Sequence, residues 1–346
     1  MKKLSLLALG LTLVAALAAG CGKSGPSQPS SQSATPTPED IAMVNRVVAS
    51  SPAFINDDVY EGAEASQLEP ANGALAAIRP LFWWRSIKSV TRTFETEYTD
   101  PDSTGRPTMA TVTVNKLLTG TFNIVAGDST NHPDSLVRKP LEDQWVRKLL
   151  LKRVRDIVVG DTVISRWKLV GTSGVEVTST NAVTAIQSVR IQAGTLAGSV
   201  LDTTITDPLQ LHRLRRVFHL PTGTQVIVTV TTSSADDIVL LYRWHRRVRF
   251  INNGDGTHTA GWITGDEWDR DRDLVFAAST DNDGSWVRHF GVNAISHGTL
   301  YDDASPYDSN AWIFAFGFDR NRCWLDRDRD DDDGDHDLTA GATARR

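Results

Sequence analysis

From Trp84 onward the side chains read at a period of two, and short runs of strand formers separated by turn formers recur as far as Phe318. A period of two places successive side chains on opposite faces and is consistent with β-strands. In the first run Ile87, Ser89, Thr91, Thr93 and Glu95 share one face, and Lys88, Val90, Arg92, Phe94 and Thr96 share the other. Turn chemistry fills 100–107, and further strands are expected over 109–118, 120–126, 145–154 and 163–170.

Helical signals precede these strands. Thr37-Pro38-Glu39-Asp40 supplies a capping hydroxyl, a proline for the first helical position and acids for the first turn, and Ile41, Val44, Val47 and Val48 then recur at helical spacing. A helix is expected from Pro38 to about Ser50, and an Ala-rich second one over 70–79, stopped by Pro80. Helices followed by a long antiparallel sheet make an α+β domain, placed at 38–184. Beyond it, runs at 185–192, 224–232, 238–251, 258–263, 273–279, 286–293 and 311–318 predict an all-β sandwich over 185–325.

The N-terminus has a separate role. Lys2 and Lys3 lead an apolar stretch over 4–17 that is too short for a membrane span. It ends in Leu17-Ala18-Ala19-Gly20-Cys21, which resembles the lipobox of bacterial lipoproteins. The resemblance implies a signal peptide over 1–20, acylation of Cys21 and anchoring to the cell envelope. Gly22 in place of an aspartate points to the outer membrane. A plain secretory signal is the simpler alternative. Each buried acyl methylene contributes about 0.8 kcal/mol, so several chains would make release negligible. Residues 21–37, rich in Ser, Pro and Gln, form a lipidated flexible stalk. With Cys21 acylated, Cys323 would have no partner for a disulfide.

The net charge of -6 is concentrated in the aspartates of 319–337, and no basic field suited to nucleic acid stands against it. Read as one strand, 238–251 puts Leu240, Tyr242, Trp244, Val248 and Phe250 on a face with Arg246, and crowds Arg243, His245, Arg247 and Arg249 on the other. Neutralisation by Asp266, Glu267, Asp269, Asp271 and Asp273 is one account of that crowding. A patch for an anionic ligand or lipopolysaccharide is the other. The polar cluster of 128–134, with His132, reads as a solvated loop, and Asn252-Asn253-Gly254-Asp255-Gly256 as a hairpin turn. Trp262, Trp268 and Trp286 would bind glycan if exposed in a row.

In the acidic tail over 326–346, Asp331, Asp333 and Asp337 around Gly334 resemble part of the calcium loop of thrombospondin-type and dockerin repeats, with Arg329 at the first ligand position. Calcium is thus the one cofactor the sequence raises, and a solvated acidic terminus is the simpler reading.

The runs Arg147-Lys148-Leu149-Leu150-Leu151-Lys152 and Trp167-Lys168-Leu169-Val170 resemble paired strands in the cystatin-like cone of the nuclear transport factor superfamily, some members of which carry a pocket between helices and sheet. Gly223-Thr224-Gln225-Val226-Ile227-Val228-Thr229-Val230 and Phe290-Gly291-Val292-Asn293-Ala294 resemble bacterial immunoglobulin-like domains. Zinc-protease, serine-elbow, phosphate-loop and dinucleotide motifs do not occur. The expected protein is a lipid-anchored envelope component with a non-catalytic binding, adhesion or assembly role, meeting another envelope protein or a glycan. The alternative is a small-molecule-binding or hydrolytic protein with a cavity in the 38–184 domain.

Overall fold

The computed structural model describes residues 34–55, 66–67, 78–128, 132–159, 162–195, 198–214, 218–220, 223–243, 246–264 and 287–318. Cys21, the stalk up to residue 33, nearly all of the expected 70–79 helix, the 273–279 strand, Cys323 and the acidic tail lie outside them.

Helix α1 (Pro38–Ala49) forms where its caps require. The Thr37 hydroxyl accepts from the Asp40 amide, and the Asp40 carboxylate accepts from the Thr37 amide in return. Val44 and Val48, one turn apart, are buried. A short α2 (Pro52–Ile55) follows.

After β1 (Ser66–Gln67), three very long strands begin the first sheet: β2 (Pro80–Pro101), β3 (Pro107–Gly127) and β4 (Pro133–Val159). The β2–β3 turn closes on the Asp102 carboxylate, which accepts from the amides of Thr104 and Arg106, with Gly105 at φ 81°. The expected pair 109–118 and 120–126 is one continuous strand. At Gly120 it passes β2 so closely that a Cβ would lie 2.0 Å from the Ser86 carbonyl oxygen, beside a bulge between Ile87 and Ser89. Glycine is required there by the approach of the two backbones.

β5 (Thr162–Ser179) pairs with β4 through three further register shifts. Bulges bend and twist a sheet, and this one curls strongly.

The rest of the chain adds to both layers. β6 (Ile186–Thr195), β7 (Gly198–Ile205), β10 (Gln225–Thr232), β13 (Ile251–Asn252) and β14 (Thr257–Ile263) make a second sheet in the order β13-β14-β10-β6-β7. β8 (His212–Arg213) and β9 (Phe218–Leu220) pair at the side of the first sheet. β11 (Ile238–Arg243), β12 (Arg246–Arg249), β15 (Val287–Ile295) and β16 (Ser309–Phe318) join the first sheet itself, whose order becomes β1-β2-β3-β4-β5-β16-β15-β11-β12. A short α3 (His297–Tyr301) precedes β16.

The chain is therefore mostly antiparallel sheet, but the boundary expected at 184/185 does not divide one sheet from the other. β16, the last described strand, hydrogen-bonds to β5, with Asn310 opposite Thr178 and Ile313 opposite Val175.

Three cores result. Val239, Leu241, Phe290, Val292, Trp312 and Phe314 pack against Val189, Val226, Val228 and Trp262 of the second sheet. On the opposite face of β16, Ala311 and Ile313 join the core that α1 and α2 cover, with Val112, Trp145, Leu149 and Trp167. The alternation of β16 thus serves two cores, bulky side chains in one and small or branched ones in the other. In the third core Trp83, Phe122, Ile124 and Leu141 of β2–β4 touch Ile238, Leu240 and Tyr242 of β11. β2 and β11 lie far apart in the strand order, so their contact shows that the sheet curls round into an incomplete barrel.

Candidate functional site

The concave face of the curled sheet is lined by an unusual set of side chains. β2 contributes Trp83 and Arg85, β3 contributes Lys116 and Phe122, and β4 contributes Asp143, Trp145 and Arg147, all at 0–1% exposure. Cations so deeply placed need a substitute for water. Indole rings supply much of it. The Arg85 guanidinium carbon stands 5.1 Å from the Trp83 ring, Lys116 Nζ stands 4.2 Å from the Trp145 ring, and the Arg147 guanidinium carbon 5.6 Å from that same ring. A desolvated contact of this kind is worth about 2 kcal/mol.

Hydrogen bonds supply the rest of what is visible. Arg85 Nε donates to Tyr307 OH at 3.2 Å and Nη1 donates to Tyr242 OH at 3.0 Å. Asn293 Nδ2 donates to the Tyr242 oxygen at 2.9 Å, while the Arg247 guanidinium lies over the Tyr242 ring at 4.8 Å and over Trp83 at 5.1 Å. Tyr307 OH passes a hydrogen bond on to Asp143 Oδ2 at 3.1 Å and sits 2.7 Å from Ser309 Oγ. Burial alone would raise the Tyr242 pKa, yet Arg85 and Arg247 outweigh it and hold the phenol below its ordinary value.

Further along β4, Arg147 Nη1 donates to the Phe54 carbonyl at 3.1 Å and so fastens α2 to the sheet. Beside it the His289 imidazole is pushed down to about 3 by burial and by the Arg147 charge, which keeps it neutral at physiological pH.

The predicted basic patch is not one face of one strand. β11 and β12 pair antiparallel, Tyr242 opposite Arg247 and Leu240 opposite Arg249, so the expected 238–251 strand is at least two strands, Ile238–Arg243 and Arg246–Arg249. Arg243 stands opposite Arg246 in the register, and His245 lies outside the described residues. Arg247 turns inward onto Trp83 and Tyr242, and Arg249 is exposed. The proposed acidic counter-charges of 266–273 also lie outside the described residues, as do Asp331, Asp333 and Asp337.

Of the three tryptophans weighed for glycan, Trp262 is buried in the sandwich core, and Trp268 and Trp286 are not described. His132 is exposed, its amide donating to Asp128 Oδ1 at 3.0 Å within the loop. The hairpin turn at Asn252–Gly256 forms as expected, with Gly254 and Gly256 at φ 82° and 84°. Among the described residues no helix is long and apolar enough to cross a membrane, and no group of three or more His, Cys, Asp or Glu is placed to hold a metal.

A second buried polar cluster sits where the two sheets meet. Asp308 accepts from the amides of Val183 and Thr184 and from the Thr184 hydroxyl at 3.1 Å, and that hydroxyl also lies 3.5 Å from Asp237 Oδ1. The Asp237 carboxyl is pushed up to about 6, first by burial and further by the charge of Asp308. A carboxyl raised in the folded state binds a proton that the unfolded chain has released. Its contribution to stability is therefore complete at low pH and is lost as pH rises from about 4 to about 6. Asp237→Asn, which keeps the shape without the charge, is expected to raise the unfolding free energy at pH 7 by about 1–3 kcal/mol and to have little effect near pH 4. Urea denaturation at the two pH values measures the difference, and equal shifts at both would remove the carboxyl from this account.

Set beside this geometry, comparisons with protein-family models, with curated proteins and with solved structures find no match. The chemistry of the site must be read from its own residues. Its phenols, guanidinium groups and carboxylate are turned toward one another inside a shell of aromatic rings.

Proposed function

We propose that this is a lipid-anchored cell-envelope protein, held through Cys21 to what we infer is the outer membrane, whose folded body has a non-catalytic binding, adhesion or assembly role toward another envelope protein or a glycan. The observation that carries the reading is the closure of the interior: Trp83, Arg85, Phe122, Trp145 and Arg147 are all at 0% exposure. A ligand cavity needs lining groups that a ligand can reach, whereas these are packed against each other. A partner is then met on the outside. We further read the helices on the concave face of β3–β5 as the arrangement of a cystatin-like cone, and the packing of β11, β15 and β16 on the second sheet as an immunoglobulin-like sandwich.

The anchor is tested by labelling expressing cells with a palmitate analogue and fractionating them. Label on the wild-type chain, with Cys21→Ser unlabelled and released from membranes, is the expected result. Membrane retention of Cys21→Ser would refute the anchor.

One observation favours a second reading, that of a small-molecule-binding or hydrolytic protein. Tyr242, with its lowered pKa and two guanidinium neighbours, is the kind of perturbed group that active sites use. Hydrolysis of a nitrophenyl ester or phosphate by the full chain, abolished by Tyr242→Phe, would decide for it.

A further inference from the structure

The charges of the first sheet are sorted by rim, and the sorting carries an inference that goes beyond the proposed role and does not depend on the anchor. β16 runs antiparallel to β5 and to β15, and β15 antiparallel to β11, so Phe318 comes at the rim where β4 and β11 finish and β5 and β12 begin. Cations gather at that rim. In the register Lys152 of β4 stands directly opposite Lys168 of β5, Arg155 opposite Arg166, and Arg243 of β11 opposite Arg246 of β12. Leu151 and Trp167, adjacent along the strands, are buried in the core that α1 covers, so Lys152, Arg166 and Lys168 stand on the other face, where all three are exposed. Arg213 of β8, opposite Gly171 of β5, is exposed as well.

Like charges set directly opposite one another cost a sheet stability. Carboxylates described at the same rim are committed to other cations, Asp102 to Arg153 and Asp156 to Arg106. The opposite rim is the acidic one, with Asp134, Asp236 and Asp303 exposed beside Arg138.

The chain holds an anion tethered at the basic rim. Residues 330–337 carry six aspartates and no Lys or Arg, and the eleven residues of 319–329 join them to Phe318. Eleven extended residues reach about 36–40 Å. β4 lies only two strand spacings from β16, about 10 Å. A tether of this length gives the acidic run an effective concentration of about 1 mM at the cations. We propose that residues 330–337 dock on the basic rim of the first sheet, their carboxylates set against Arg166 and the Lys152–Lys168 pair, and so cover that rim against other polyanions. Arg320, Arg322, Arg327 and Arg329 all fall in the tether, which leaves the docked run wholly acidic.

The experiment is made on the full chain. Zero-length carbodiimide cross-linking, mapped by peptide mass spectrometry, is expected to join Lys152 or Lys168 to aspartates of 330–337. The yield should be independent of protein concentration and should vanish in 1 M NaCl, where the screening length is about 3 Å. With all six aspartates changed to asparagine, the chain is expected to bind heparin about tenfold more tightly than wild type at fixed salt. Lys152→Gln, Lys168→Gln and Arg166→Gln in that background should remove the gain, with a thermal melt unchanged or raised because the opposed charges are gone. Vesicles containing phosphatidylglycerol test the other occupant, an anionic membrane, and equal binding by wild type and the six-asparagine chain would assign the rim to it. That result, cross-links formed only between molecules, or a heparin affinity indifferent to the six aspartates would each overturn the proposal.

Discussion

Replacing Arg85 by alanine is expected to lower the unfolding free energy by about 3–5 kcal/mol, the range for breaking a buried charge network from one side. Arg85 is fully buried and bridges the two ends of the curled sheet, donating from β2 to Tyr242 on β11 and to Tyr307 just before β16. Alanine would deprive two phenols of this donor and leave a void beside Trp83, while Arg247 would remain beside the Tyr242 phenol. Arg85→Met separates packing from polarity, because it refills the volume but restores no donor. Most of the lost stability is expected back in Arg85→Met, since an apolar residue of similar size often replaces a buried ion at little cost. The Tyr242 pKa is expected to rise in both variants. Chemical denaturation gives the first quantity and absorbance titration of tyrosinate the second, with Tyr242→Phe identifying the signal. Wild-type stability in Arg85→Ala would mean that the curl is held by apolar contact alone.

Much of this network can be located in the sequence by the parity of its charges. In Leu141-Glu142-Asp143-Gln144-Trp145-Val146-Arg147-Lys148-Leu149 the inward positions are those of Leu141, Trp145 and Leu149, and Asp143 and Arg147 share them. Lys116 likewise falls in step with Val112, Val114 and Leu118. A charge at a core parity signals a buried polar group, and that signal is open to reading. What it does not give is the partner. Tyr242 and Tyr307 are brought to Arg85 by the curl of the sheet, over sequence separations of 157 and 222 residues.

Local features are legible for the same reason that distant ones are not. The cap at Thr37, the turn on Asp102 and the glycines of the 252–256 hairpin act within a few residues. The faces of 238–251 are misread from sequence because no Gly, Pro, Asn or Asp marks Trp244-His245, so the alternation runs through it without a break. The antiparallel return of β12 on β11 inverts the parity, and Arg247 joins the face of Tyr242. The placement of β16 between β5 and β15 is a choice among edges that no local pattern encodes.

The second large effect is expected at Asp40, where helix capping and sheet packing depend on one carboxylate. Its Oδ2 accepts from the Thr37 amide and hydroxyl, both at 3.1 Å, and its Oδ1 accepts from Arg106 Nη2 at 3.0 Å and from Trp167 Nε1 at 3.1 Å. The group is at 0% exposure. Burial alone would raise its pKa, but the bonds from Thr37, Trp167 and Arg106 together more than reverse this and hold it below the ordinary carboxylate value. A lowered carboxylate stabilises the fold fully above its unfolded pKa and loses that contribution as pH falls through the folded one. Asp40→Ala removes the carboxylate half of the capping box and leaves Arg106 without its buried carboxylate acceptor, so a loss of about 3–5 kcal/mol is expected at pH 7. Thr37→Ala, which removes only the hydroxyl, should cost about 1 kcal/mol. Asp40→Asn keeps the shape but not the charge, and its acid unfolding should be shallower than that of wild type below pH 4. Because α1 covers the core containing Trp145 and Trp167, detachment of the helix should also redden tryptophan emission before global unfolding. Equal losses in Thr37→Ala and Asp40→Ala would show that Asp40 acts only through the cap, and that its bonds to Arg106 and Trp167 contribute nothing to holding the helix against the sheet.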